Sequence, residues 1–418
     1  MSSLPLVDAD RWPGVARTPY SPVRAAAARL ILRRAVRDLP VVVLLPDRSR
    51  LGAGGAAAPV LDIVSERFFH RIGADLKIGF GEAYLAGDWR AGDGTDLADL
   101  LTVFAPRLGD LVPPALQRFR KLVEQRMPRE EANDRSGARA NIARHYDLSN
   151  ELFALFLDET MTYSSAWFDG QLAGSGQLAG FGQLAAAQRR KIDGVLDYAG
   201  VQPGTRLLEI GTGWGQLAIQ AAERGAIVTS VTLSAEQRDL ARKRIAEAGV
   251  DVEVELRDYR DVRGQYDAVV SVEMIEAVGA QYWPAYFATI DRLLAPGGRF
   301  ALQSITMPHD RLLATQHAQG WIHQYIFPGG LIPSLTAIEQ IAGTAGGLRI
   351  EQRRDLGPSY AHTLRLWRER FTSRAGEVAN LGFDAVFRRM WEFYLAYSEA
   401  GFRAGYLGVS QLALVRKH

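Results

Sequence analysis

The chain of 418 residues contains no cysteine. Disulfides, thiolate metal sites and cysteine nucleophiles are therefore excluded outright. Excess charge of one sign is also missing. Lys and Arg number 49 against 47 for Asp and Glu, a net charge of +2, so there is no bulk polyelectrolyte signal and no nucleic-acid partner is expected. The apolar run Val41 to Leu45 is far too short to span a bilayer. The residues up to Pro40 lack an apolar core with a small-residue cleavage site. No secretory signal is evident, and a cytoplasmic location is expected. His309, His317 and His323 lack a ligand spacing, so no metal site is expected.

Hydrophobic content of 47% and charged content of 23% are ordinary for a globular protein. The length is more than one core needs, so two domains are expected. Residues 1–112 read as a small α+β domain. Its signals are a basic helical pattern from Arg24 to Asp38, strands at Val41–Leu45 and Val60–Val64, a helix over Ser65–Leu76, a glycine-bounded segment Phe80–Trp89, and a helix over Asp96–Phe104. The arginines Arg24, Arg29, Arg33, Arg34 and Arg37 interleave with Ala, Leu and Ile. That pattern suits either a solvated face or a surface lying on anionic lipid. Residues 113–140 are basic and charge-dense and read as linker or exposed helix. Between Gly170 and Ala185 a Gly-Gln-Leu-Ala unit nearly repeats, as a surface-loop insertion or a cover over a site.

Residues 141–418 are organised around Leu207-Leu208-Glu209-Ile210-Gly211-Thr212-Gly213-Trp214-Gly215. An apolar run ending in an acid meets three alternating glycines, and a helical pattern follows. The pattern reads as strand, tight turn and helix, with a backbone able to approach a ligand closely. Downstream, strand patterns at 226–233, 252–256, 266–272 and 299–304 alternate with helical ones at 235–248 and 283–293. A helix at 336–345 and a strand at 348–355 close the sheet. This alternation predicts an α/β domain with a mostly parallel sheet. Ligands bind beyond the carboxyl ends of such strands. The helices at 361–371 and 383–402, the latter rich in aromatics, could wall an acyl channel or build a homodimer surface.

The glycine turn is not a phosphate loop, because no Gly-Lys-Ser/Thr follows. The second strand ends in Thr232-Leu233-Ser234, where a dinucleotide fold places an acid for the ribose. That weighs against a nicotinamide cofactor. Asp258-Tyr259 offers an acceptor and an aromatic face, which suits adenine.

Taken with Ser230-Val231-Thr232-Leu233-Ser234-Ala235-Glu236-Gln237, the glycine turn resembles the S-adenosylmethionine site of Rossmann-like class I methyltransferases. More narrowly, the chain resembles the cyclopropane fatty acid synthases. The strings that carry this are His145-Tyr146-Asp147-Leu148-Ser149-Asn150, Met161-Thr162-Tyr163-Ser164-Ser165-Ala166, Asp258-Tyr259-Arg260-Asp261, Val272-Glu273-Met274-Ile275-Glu276-Ala277-Val278-Gly279 and Tyr325-Ile326-Phe327-Pro328-Gly329-Gly330. They occur in order between residues 141 and 371.

The resemblance implies methyl transfer from S-adenosyl-L-methionine to the double bond of an unsaturated acyl chain in a membrane phospholipid. The expected product is a cyclopropane, and a methyl- or methylene-branched chain is the alternative. Peripheral contact with the inner face of the membrane is implied as well. Tyr163, Ser164, Glu209, Gly211, Gly213, Thr232, Leu233, Gln237, Asp258 and Tyr259 are the cofactor candidates, and Arg260 is read as structural. The family's base is taken to be a bound bicarbonate. Its carried-over binders are Glu276 as acceptor, Ile305 through its backbone, and Tyr360 as donor. Ser165 and Gln303 stand where familiar members have Cys and His, and Thr212 and Leu331 also sit at positions often occupied by Cys. Ser165 and Gln303 can still hydrogen-bond, but would hold an anion less strongly. Tyr163, Trp167, Tyr282, Trp321, Tyr325, Phe327 and Tyr360 are aromatic candidates for stabilising a cation on the acyl chain.

Overall fold

The computed structural model describes residues 7–105, 149–168 and 180–417. The basic segment 113–140, the string from Asn141 to Leu148 and most of the Gly-Gln-Leu-Ala repeat lie outside the described residues. The chain divides into two compact units. Unit 1 comprises Met1–Arg126, Ala318–Ile326 and Arg368–Tyr406, and unit 2 comprises Met127–His317, Phe327–Trp367 and Leu407–His418.

Unit 1 contains a four-stranded sheet of β1 (Val42–Leu44), β2 (Arg50–Leu51), β3 (Val60–Ile63) and β4 (Trp89–Ala91), in the order β2-β1-β3-β4. β1 and β3 are parallel, with Val43 opposite Leu61, and the outer pairs are antiparallel. The predicted helix over Ser65–Leu76 is two helices, Arg67–Ala74 and Leu76–Leu85. Asp75 separates them: its backbone is extended, and its side chain accepts the N–H groups of Lys77 and Ile78, starting the second helix. The glycine-bounded segment Phe80–Trp89 therefore begins as helix. Gly81 permits a close approach, since a Cβ there would lie 2.4 Å from Cδ1 of Trp321. Asp96 caps the helix Leu97–Phe104 in the same way.

The assignment of everything past residue 141 to one domain is corrected by the structure. The helices Trp321–Tyr325 and Ala385–Arg403 pack within unit 1. The reason is aromatic burial. Phe393 sits 4.8 Å from Trp321 and 5.3 Å from Tyr84, while Trp89 stacks 4.6 Å from Phe80. A helix with this many large apolar residues must cover them, and here the small sheet domain supplies the partner surface. Ion pairs add to this, with Arg368 holding both Asp96 and buried Glu399.

Unit 2 is a seven-stranded sheet of β5 (Arg206–Ile210), β6 (Ile227–Thr232), β7 (Val252–Leu256), β8 (Tyr266–Val272), β9 (Leu294–Thr306), β10 (Leu348–Asp355) and β11 (Gly408–Arg416). Its order is β10-β11-β9-β8-β5-β6-β7. The strands from β9 to β7 are parallel, as expected. Strand β11 was not predicted. It lies antiparallel between β9 and β10, so β10 forms the edge without touching β9. Side-chain alternation splits the apolar residues between two faces. Leu208, Ile210 and Val269 join a core with Tyr286, Phe287 and Ile290. Leu207, Val228, Ala268 and Val270 join another with Ile192, Val195 and Leu217.

In unit 1, Arg71 is 1% exposed and donates from Nε to fully buried Asp88 at 2.9 Å and from Nη1 to the carbonyls of Gly14 and Arg17. Removing one partner of a buried pair leaves an uncompensated charge, at a cost of about 3–5 kcal/mol. The Arg71→Ala substitution is expected to lower unfolding free energy by about that amount, measured by urea denaturation.

Candidate active site

The turn after β5 uses glycine for its backbone freedom. Gly211, Gly213 and Gly215 have φ of +99°, +52° and +88°, values that L side chains rarely adopt. Thr212 Oγ1 and Ser230 Oγ lie 2.7 Å apart, and Ser230 also donates to buried Glu209. Ser234 caps the helix Ala235–Ala248 by accepting the N–H of Gln237, and Thr232 Oγ1 donates to Gln237 Oε1 at 3.1 Å. Asp258 is fixed by Arg260, which donates from Nε and Nη2 at 2.9 and 2.6 Å. Arg260 itself also lines the cavity described next. Tyr259 is buried edge-on to Tyr286.

One cavity lies at these strand ends. Its lining includes Tyr163, Ser164, Glu209, Gly211, Gly213, Thr232, Leu233, Gln237, Asp258 and Tyr259. All ten cofactor candidates are brought to one place. The segment 161–166 is drawn there by neighbours on other elements. Arg244 donates to the carbonyls of Thr160 and Trp214, Gln188 Nε2 to those of Thr162 and Ser164, and Trp214 Nε1 to Asn150 Oδ1.

Two residues that the sequence reading passed over also line this cavity: Lys191 and Glu273. Lys191 is 1% exposed, and its Nζ donates to Ser164 Oγ at 2.6 Å. Burial pushes its pKa down to about 8, against the pull of Glu273, Asp158 and Glu209. Burial likewise pushes Glu209 up to about 8, with Ser230 and Lys191 opposing. Lys191 follows Arg189 and Arg190 and so reads in sequence as part of a solvated basic face. Glu273 had a visible signal, as the first residue beyond β8, where such sheets place their ligands.

The residues expected to hold one anion are organised instead around two carboxylates of the chain. Glu273 Oε1 accepts the backbone N–H of Ser165 at 2.9 Å and Gln303 Nε2 at 2.8 Å, and its Oε2 accepts Tyr360 Oη–H at 2.7 Å. Glu276 Oε1 accepts the Ile305 N–H and, at 2.9 Å, the Ser304 hydroxyl. The Ser165 hydroxyl points away, donating to the Ala166 carbonyl. Gln303 is oriented by Gln411, which donates to its Oε1 at 3.0 Å from the unpredicted strand β11. Among the aromatic candidates, Tyr163 lines the cavity, whereas Trp321 and Tyr325 stack on each other in unit 1, where Tyr325 donates to Glu82. Trp167 lies under the guanidinium of Arg354.

The sequence pattern of the mycolic acid cyclopropane synthetase family matches residues 133–412. The chain belongs to that family. Within it, a tuberculostearic acid methyltransferase of Mycobacterium tuberculosis is 54% identical over 417 residues, covering 98% of this chain and 96% of the relative. A cyclopropane-fatty-acyl-phospholipid synthase of Escherichia coli is 33% identical over 378 residues, 89% of this chain and 92% of the relative. A mycolic acid cyclopropane synthase, solved with S-adenosylhomocysteine (SAH) and CTAB, superposes with a TM-score of 0.59 at 31% identity, covering 66% of this chain and 97% of its own. Unit 2 is thus a class I methyltransferase fold, and this member of the synthetase family is an S-adenosylmethionine-dependent methyltransferase.

Glu276 is pushed up to about 8, first by burial and then by the charge of Glu273. A carboxyl raised above its ordinary 4.5 favours the fold while protonated. That stability is complete below the unfolded pKa and is lost as pH rises through about 8. Glutamine mimics the protonated acid. The melting temperature of Glu276→Gln is therefore expected to gain on that of the parent between about pH 5 and about pH 9, as followed by thermal denaturation across that range.

Proposed function

We propose that this methyltransferase adds a methyl group to the double bond of an unsaturated acyl chain of a phospholipid and leaves an open, branched chain. The observation that carries the reading is the single cavity that gathers the ten cofactor candidates and places a buried, hydrogen-bonded carboxylate on the same wall. S-adenosylmethionine supplies an electrophilic methyl on a sulfonium. The glycine turn brings backbone close to it, Glu209 can accept its amino group, and Asp258 and Tyr259 suit its adenine. An alkene is a weak nucleophile, so alignment with the methyl supplies much of the rate. Attack leaves a cation on the acyl chain, and the π face of Tyr163 on the cavity wall is suited to stabilise it.

Charge balance then requires a proton to leave. Loss from the new methyl closes a cyclopropane, and loss from the chain leaves a branched alkene. The open-chain product is favoured by the name of the 54%-identical relative, which spans nearly all of this chain. The cyclopropane product has the support of the relative at 33% identity. The resemblance assigns the departing proton to a bound bicarbonate.

Both products add one CH2 and are isomers, so mass alone does not separate them. With methyl-labelled S-adenosylmethionine and oleoyl or vaccenoyl phospholipid, the label is expected in the acyl chain of a product that ozone cleaves. An ozone-resistant product with upfield ring protons would establish the cyclopropane instead. No label in any lipid would refute acyl methylation.

Contact with the membrane would be peripheral, because no helix of the described residues is long and apolar enough to cross one. The helix Pro22–Val36 in unit 1 leaves Val23, Leu30 and Ile31 exposed with Arg24, Arg33 and Arg34. Positions 23, 27, 30, 31 and 34 share one helical face. Apolar side chains among arginines suit an anionic headgroup layer. Co-sedimentation with phosphatidylglycerol vesicles is expected to fall as salt rises and to weaken when Arg24, Arg33 and Arg34 become Gln. Salt-insensitive binding would rule this face out.

A further inference from the structure

The donors implied for bicarbonate are already spent. Three donors at the implied positions, the Ser165 backbone N–H, the Gln303 amide and the Tyr360 hydroxyl, converge on the two oxygens of Glu273 at 2.7 to 2.9 Å. The fourth, the Ile305 N–H, is taken by Glu276. A carboxylate is the same planar oxyanion as bicarbonate without its hydroxyl. It satisfies the same donors, and a second anion in this buried cradle would face the full charge of the first at short range and low dielectric. The residues present do not fit a bound bicarbonate.

Independent of these hydrogen bonds, the backbone at Glu273 is strained. Its φ is +50°, in the left-handed region. A non-glycine residue there is strained and persists only where the surroundings over-determine it. Among the described residues, four non-glycine residues have positive φ, and two of them, Met161 at +52° and Glu273, line the cofactor cavity. The strain turns the first residue after β8 so that its side chain meets donors from three separate segments.

We propose that the Glu273 carboxylate is the general base of the reaction, built into the chain in the place that the family resemblance assigns to bicarbonate. The inference rests on the acyl-methylation reading and deepens it. The π pair of the acyl double bond forms the new C–C bond to the methyl carbon, and the S–CH3 bonding pair stays on sulfur. The neighbouring carbon becomes cationic. A C–H beside it gives its proton to a Glu273 oxygen, and the C–H pair forms the new C=C. The proton then leaves to solvent, and the carboxylate is regenerated. Tyr360, Gln303 and the Ser165 N–H are positioning groups that hold the carboxylate. Burial raises the pKa of Glu273, while those three donors and Lys191 oppose the rise.

The test uses the full chain in carbon-dioxide-stripped buffer. Turnover of the parent protein is expected to be unchanged by added bicarbonate, and a titration with 13C-bicarbonate followed by NMR is expected to show no saturable binding. The Glu273→Gln variant keeps the size of the side chain and is expected to retain affinity for S-adenosylhomocysteine while losing roughly 100-fold or more in methyl transfer. Glu273→Gly removes the carboxylate, frees the three donors and relieves the positive φ. It is expected to bind 13C-bicarbonate and to recover turnover when bicarbonate is added. Saturable bicarbonate binding by the parent, a parent rate that rises with bicarbonate, or full activity of Glu273→Gln would each overturn the proposal. If the parent methylates no unsaturated lipid, the reading of the reaction fails. The bicarbonate titration still decides what occupies the cradle, because it needs neither substrate nor variant.

Discussion

A carboxylate removed from water must be given donors, and meeting that demand at Glu273 ties the catalytic unit together. The ionised group cannot sit in a dry interior at tolerable cost unless its oxygens are hydrogen-bonded. Its donors come from the segment after Tyr163, from β9 through Gln303, and from the helix Gly357–Ser373 through Tyr360. Gln303 is in turn held by Gln411 of β11. Three segments far apart in the chain thus meet at one side chain, and β11 is tied in through Gln303.

The same demand recurs around the cavity with different partners. Glu209 has Ser230 and the charge of Lys191, Lys191 has Ser164, and Glu276 has Ser304 and the Ile305 N–H. Among the described residues, Glu276 Oε2 has no hydrogen-bond partner, which agrees with its upward shift. Buried titratable groups at a strand-end cavity are what proton-transfer chemistry requires. They also place much of the electrostatic cost of the fold where the chemistry occurs.

The glycine turn serves a complementary purpose. Where Glu273 brings charge into the cavity, Gly211 and Gly213 bring bare backbone, with no Cβ to obstruct a ligand. A strained non-glycine residue at one strand end and unstrained glycines at the neighbouring one divide the work. One presents a carboxylate to the cavity, and the other presents space.

Much of this was legible in the sequence, because local pattern carries it. Local pattern placed β7, β8, β10 and the helices Ala235–Ala248 and Trp283–Leu293 at their observed bounds. The alternating glycines and the Thr-Leu-Ser and Asp-Tyr strand ends marked residues that all reach one cavity. What the tertiary structure alone decided is long-range. Strand β11 joins the sheet between β9 and β10 only because distant edges were free to accept it. The aromatic helix Ala385–Arg403 is claimed by unit 1 because that is where its rings can be buried. Lys191 looks like one more surface cation until packing removes it from water. Glu273 and Glu276 are two acids three residues apart, and only Glu276 carried an expected role in sequence. Only the donors brought from elsewhere in the chain show that Ser165, Gln303 and Tyr360 serve the first, because hydrogen bonding depends on distance in space and not on spacing along the chain.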